Sequence, residues 1–218
     1  MKYRIEIFPL LLLTGFSAAL PSCPEGINLL PMYGNAQKCP EQIQADNEFL
    51  AASEKQFSNR DLASQHYVTE GWKLFEQRQL DSAIKRFNQA WLLDSTNAKV
   101  YWGFASVLGM RRQFQASVPL FKKYFAMNPR EANAWEGLST SYGQIFFQTK
   151  DITFLHKSID ALKSCVKLTP QNARVYGQLA GAYSYFVQKD SARKYLAIAD
   201  RLNPAAVNPE VRKLLIKE

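Results

Sequence analysis

The sequence is short of the residues that enzymes work with. Its 218 residues include two histidines and three cysteines. The cysteines, Cys23, Cys39 and Cys165, form no CxxC pair, and none stands near a histidine at metal-ligand spacing. No GxSxG, HExxH, P-loop or GxGxxG motif occurs. The carboxylates are scattered at ordinary surface spacing. Catalysis, a metal, a cofactor and a small-molecule substrate therefore all lack a residue set to carry them. Glycine and proline number ten each, too few for a low-complexity chain. No stretch approaches 18 consecutive apolar residues, so no segment reads as a membrane-spanning helix. The net charge of +8 is moderate and spread out, with short pairs such as Arg111–Arg112 and Lys122–Lys123. That distribution reads as solvated helix faces and not as a nucleic-acid surface.

What the chain does have is apolar and aromatic residues in a rhythm. Hydrophobic residues make up 47% and charged residues 21%, which is a globular composition. Tyr67, Tyr101 and Trp135 are 34 residues apart, and Tyr176 follows after 41. Phe87 to Phe121 is 34, Phe121 to Leu162 is 41, and Leu162 to Leu196 is 34. Pro129, Pro170 and Pro204 keep the same steps. Three independent markers on one period mean internal repeats.

The first unit carries Tyr67, Gly71, Leu74, Ala83, Phe87 and Ala90. The second carries Tyr101, Phe104, Ala105, Leu108, Ser117, Phe121 and Pro129. In the third, Trp135, Leu138, Ser139, Tyr142, Ser158, Leu162, Cys165 and Pro170 fall in register. The fourth has Tyr176, Leu179, Ala180, Tyr183, Ala192, Leu196, Ala199 and Pro204. The pattern resembles the tetratricopeptide repeat (TPR) over residues 64–204, in units 64–97, 98–131, 132–172 and 173–204. The resemblance implies an all-α, right-handed solenoid of about four helical hairpins with N- and C-terminal capping helices. Small residues at Gly71, Ala105, Ser139 and Ala180 would let the two helices of each hairpin come close. The rings would fill the space between hairpins, since no hairpin can bury its faces alone.

The units depart from that pattern in four places. Ser95 stands where proline is usual. Tyr124 stands where the other repeats have alanine or cysteine, which predicts that the second and third hairpins are pushed apart unless Gly137 leaves room. Lys189 replaces an apolar residue seen as Leu80, Phe114 and Leu155. The third repeat is longer: Tyr142 to Ser158 is 16 residues, where the equivalent steps are nine. Seven extra residues are close to two helical turns. They predict one added turn on each helix, with Phe146, Phe147, Ile152 and Phe154 packed under a turn at 149–151.

The flanks read as caps and a strap. Residues 41–60 hold an N-terminal capping helix, with Ile43, Leu50 and Phe57 seven apart, and Pro40 suits its start. Residues 205–218 hold a C-terminal capping helix with Asn208 as its cap and Val211, Leu214 and Leu215 as its stripe. Residues 23–40 contain too much proline and glycine for a regular helix. Their Ile27, Leu29, Leu30, Met32 and Tyr33 predict a strap that lies on the solenoid. Residues 1–22, with Lys2 and Arg4 ahead of apolar Ile7 to Leu13 and small Ser17 to Ala19, read as a signal peptide. The chain is expected to be exported to the cell envelope. "LPSC", residues 20–23, resembles the lipobox of bacterial lipoproteins, although Pro21 departs from it. That resemblance implies acyl chains on Cys23 and a membrane anchor. The competing expectation is cleavage after Ala19, giving a soluble periplasmic protein with a Cys23–Cys39 disulfide around the strap.

By the same resemblance to tetratricopeptide proteins, the first helix of each hairpin lines a concave groove. Its walls would show Val68, Trp72 and Phe75, then Lys99, Trp102, Ser106 and Met110. Asn133, Glu136, Thr140 and Gln144 would come next, and Arg174, Ser184 and Tyr185 would close it. Aromatics with polar neighbours suit a peptide or a partner helix. Family members that grip a peptide carboxylate use Lys and Asn where this chain has Val68 and Trp72, so that mode is not implied. The expected function is a non-catalytic protein–protein interaction scaffold. The alternative is a structural accessory protein whose groove is filled by its own strap, and the path of the strap separates the two.

Overall fold

The computed structural model describes residues 22–186 and 188–216. Apart from Ser22, the expected signal segment lies outside them. Ten α-helices run through the described chain: α1 (Pro40–Gln56), α2 (Arg60–Glu76), α3 (Leu80–Leu93), α4 (Ala98–Met110), α5 (Phe114–Met127), α6 (Ala132–Thr149), α7 (Ile152–Leu168), α8 (Ala173–Ser184), α9 (Lys189–Leu202) and α10 (Pro209–Ile216). Local chemistry sets several of their ends. The side chains of Asn59, Asn97, Asp151 and Asn172 accept bonds from the first-turn N–H groups of Leu62, Lys99, Thr153 and Val175, the usual work of an N-cap. Inside two hairpins, Arg78 and Arg112 sit 34 residues apart at the same left-handed φ of 62°. The next residues, Gln79 and Gln113, donate back to the carbonyls of Leu74 and Leu108. The same backbone turn is thus built twice.

Helices α2/α3, α4/α5, α6/α7 and α8/α9 pair as hairpins and stack in order. Along the array α2 touches α4 and α4 touches α6, while the second helices stand further apart. The stack therefore curves, with first helices on its inner side. Its core depends on close approach. A Cβ on Gly71 would come within 2.5 Å of the Phe87 ring, and one on Gly103 within 2.4 Å. Phe87, with no exposure, is thus lodged between α2 and α4. One repeat on, a Cβ on Gly137 would meet Phe121 at 2.7 Å. Polar atoms in the core are paired: Ser117 donates to Ser141 at 2.8 Å, and Ser139 and Ser158 are 2.8 Å apart. No buried side-chain nitrogen or oxygen among the described residues lacks a partner.

Gly137 does leave room, but for Phe121. Tyr124 is accommodated separately: it is 1% exposed, with Trp102 at 5.8 Å and Phe125 at 5.3 Å between ring centroids. The longer third hairpin does lengthen both helices, to 18 and 17 residues against 13 and 14 in the second. Its tip is only half packed. Phe146 is buried and Phe154 half-buried, but Phe147 and Ile152 are exposed. Successive residues on a helix point about 100° apart, so Phe146 and Phe147 cannot both face inward. At the far end, Val207 packs over Gly177, and Val211 comes within 3.1 Å of where a Gly181 Cβ would stand. The Leu214 side chain, expected in that stripe, lies outside the described residues.

The strap forms two 3-10 turns, Ile27–Leu29 and Pro31–Asn35. It lies against α3. The Asn88 amide donates to the carbonyls of Asn28 and Leu30 at 3.0 and 2.9 Å, and its oxygen faces the Tyr33 N–H at 3.4 Å. Arg111, from the α4–α5 turn, donates to the Leu29 carbonyl at 2.8 Å and pairs with Asp81. Cys23 and Cys39 close the strap as a disulfide, Cα to Cα 5.2 Å. A sulfur bonded to another sulfur has no valence for an acyl-glycerol thioether, so this disulfide and a lipid on Cys23 are mutually exclusive.

The packing at Phe87 predicts an unusual sign. Gly→Ala inside a helix ordinarily stabilises by about 1 kcal/mol. Gly103→Ala should instead destabilise by about 1–3 kcal/mol, as overpacking does, and Phe87→Leu should remove much of that penalty. Urea unfolding of the two single variants and the double variant measures this.

Candidate protein-interaction groove

The inner side of the array carries a line of rings. Trp72 on α2 and Trp102 on α4 stand with centroids 4.5 Å apart. Trp72 also meets Phe75 at 5.3 Å and the buried Phe87 at 5.6 Å, while Trp102 leans on Tyr124. Both tryptophans are half-buried. They occur together because positions 72 and 102 lie on adjacent first helices at the inner edge of the stack. Beside them is a depression of about 240 Å³ lined by Phe75, Ser106, Gly109, Met110, Thr140 and Ser141. Met110 is exposed, and its sulfur is 3.5 Å from the Arg78 guanidinium. The Thr140 hydroxyl donates back to the Glu136 carbonyl, so this surface is mostly apolar.

Of the expected groove residues, Phe75, Ser106, Met110 and Thr140 line the depression, and Phe75 joins it to the Trp72–Trp102 pair. Val68 does not join them. It is 4% exposed and belongs to the core, because Ser64, Val68 and Gly71 form the i, i+4, i+7 stripe that α2 turns toward α3. Glu136 is engaged in the protein's own structure: its carboxylate accepts from Arg174 at 2.8 Å and from Gln178 at 2.9 Å, tying α6 to α8. Lys99 and Asn133 are exposed and Gln144 is half-buried. Ser184 donates to the Gly181 carbonyl. Tyr185 is 50% exposed at the end of α8, where its ring meets Phe146 and Phe147 at 5.8 and 5.3 Å. The sequence reading missed Gln178, although it lies one turn after Arg174 on the same face. It also missed Tyr124 as the ring behind Trp102, since Tyr124 comes from a second helix.

The strap's hydrogen bonds run to α1, to α3 and to Arg111, and none of them is to Trp72 or Trp102. No titratable constellation accompanies the groove. His66 packs on Phe57 and Tyr67, and His156 on Phe186. Cys165 is buried, and that burial pushes its thiol pKa up, the opposite of an activated nucleophile. Burial likewise raises the Tyr124 phenol to about 12, with the Glu131 charge adding to it and a hydrogen bond with Asn128 opposing. Among the described residues no helix is long and apolar enough to cross a membrane.

No family model matches the chain, and no curated protein matches it. Solved structures do match its fold. A thermophilic TPR protein of Thermus thermophilus is 21% identical at a TM-score of 0.56, over 71% of this chain and 80% of that one. The pilF protein of Pseudomonas aeruginosa is 19% identical at a TM-score of 0.58, over 72% and 67%. MamA of Desulfovibrio magneticus is 17% identical at a TM-score of 0.57, over 75% and 89%. The fold is that of a tetratricopeptide-repeat solenoid.

The raised Tyr124 pKa has a pH consequence. Between about pH 10 and pH 12 the unfolded chain gives up this proton while the folded protein holds it, so folded-state stability is lost as pH rises through that window. Urea midpoints taken at rising alkaline pH should fall less steeply in Tyr124→Phe than in the parent protein.

Proposed function

We propose that the protein is a non-catalytic protein–protein interaction scaffold that takes a peptide or a partner helix in its concave groove. The observation that carries this reading is the Trp72–Trp102 pair at 4.5 Å, half-buried beside an apolar depression on the inner side of the array. Tryptophans partly withdrawn from water and held by their neighbours are suited to serve as anchor points at interfaces. The strap rests on α3, which favours an open groove over the self-filled alternative.

The proposed place of work is the cell envelope, as a soluble protein cut after Ala19. Two features support this. Lys2, Arg4 and the apolar run Ile7 to Leu13 have the make-up of an export signal. A Cys23–Cys39 disulfide belongs in an oxidising compartment.

Filling the depression tests the groove. Ser106→Arg with Thr140→Arg should reduce crosslinked partner capture from envelopes at least about tenfold, with an unchanged helical circular-dichroism spectrum. Undiminished capture would overturn the groove reading. Fractionation and intact mass test the address: an unlipidated chain starting at Leu20, with its two thiols oxidised, should be found in the soluble envelope fraction.

A further inference from the structure

A second surface lies on the outer side of the array. The furrow between α5 and α7 has a volume of about 400 Å³, within the range of about 300–1,000 Å³ common for ligand sites. Its floor is Phe125, Trp135, Leu138 and Tyr142, and its walls carry Lys122, Lys157 and Asp160. Phe125 and Trp135 stack at 3.7 Å with planes 17° apart. The Trp135 indole N–H is satisfied by the Pro129 carbonyl at 2.9 Å, so the ring is fixed in place without a ligand.

The protein itself shows what this kind of position accepts. One 34-residue step back, Lys122, Phe125 and Trp135 correspond to Asn88, Trp91 and Tyr101. There the strap is seated. Asn88 holds the carbonyls of Asn28 and Leu30, Tyr33 meets Trp91 edge-on at 6.4 Å, and Leu29 and Met32 pack against the core. The occupant of the first-repeat position is a short apolar segment in tight turns. The second-repeat position keeps the aromatic floor and changes the polar group. Asn88, whose amide suits carbonyl oxygens, becomes Lys122, and Lys157 stands on the opposite wall. Among the described residues neither lysine has an ion-pair partner, and Lys157 rests over the Phe154 ring at 4.9 Å. Two ammonium groups and one carboxylate, Asp160, line the furrow; Asp151 at the start of α7 also feels the Lys157 charge but does not line the furrow, so the lining itself is positive. An ammonium bonds most strongly to a carboxylate.

We infer that the α5–α7 furrow docks a short apolar, turn-forming segment of another protein that carries an Asp or Glu side chain where the strap presents its backbone carbonyls. The site is separate from the concave groove and takes a different ligand.

The test uses the full mature chain and a labelled, acetylated and amidated peptide copy of residues 27–33 carrying Asn28→Asp, read by fluorescence anisotropy. This peptide should bind at least about tenfold tighter than the same peptide with Asn28→Lys. The double variant Lys122→Glu with Lys157→Glu should reverse that preference, and Ser106→Arg in the concave groove should leave it unchanged. Both lysines are exposed, so the variant keeps its fold, which circular dichroism checks. No peptide binding at millimolar concentration, or equal binding by parent and double variant, overturns the inference. So does binding to phosphatidylglycerol vesicles that the double variant loses, in the absence of peptide binding.

Discussion

The contact on which the array depends is the seat of Phe87 between two helices that carry no side chain at the point of approach. Gly71 and Gly103 each leave just enough room for one edge of that ring. A bulky residue at either position would force the ring out or the helices apart, and interiors this dense do not absorb a methyl group easily. Gly137 repeats the arrangement for Phe121. The hairpins therefore stack at a spacing set by ring against backbone, and the two groove tryptophans owe their 4.5 Å separation to the same spacing. A surface of this kind is built by the core behind it.

The fold was legible because its code is periodic. The 34- and 41-residue steps among Tyr67, Tyr101, Trp135 and Tyr176 mark one position in four successive hairpins, and periodicity survives when individual residues vary. The cap residue Asn208 was likewise open to reading, since an N-cap acts on its own first turn, and its side-chain oxygen accepts from the Glu210 N–H. What the sequence hid was anything that depends on a partner from another helix. Val68 looks like a groove residue until the stripe Ser64–Val68–Gly71 is seen facing α3. Tyr124 looks like a misfit in its own repeat until Trp102 is found beside it. Gly137 was expected to relieve Tyr124 and instead admits Phe121.

The site was legible in part for the same reason. Trp72, Phe75, Trp102, Ser106, Met110 and Thr140 were expected on one surface by resemblance; the three rings touch in sequence, and Phe75, Ser106, Met110 and Thr140 line one depression. Glu136 and Arg174 were expected beside them but neutralise each other, a pairing that needs both α6 and α8 in place. The path of the strap could not be read at all. Its apolar residues indicated that it would lie on something, but the anchor is Asn88, a single polar residue on a face that would otherwise read as solvated.

The strap also has a consequence for the order in which the molecule assembles. The hairpins pair neighbours in sequence, so their contacts close short loops and form early. The strap's ties are among the longest in the chain: 55 to 60 residues separate Asn88 from its partners, and 82 separate Arg111 from Leu29. The Arg111 tie also requires α4 to have reached its end beside Asp81. Docking of the N-terminal segment is then a late step that waits for residues far downstream. A chain emerging N-terminus first must carry Ile27, Leu29 and Met32 uncovered until α3 exists, and lacks the Arg111 tie until the second hairpin begins.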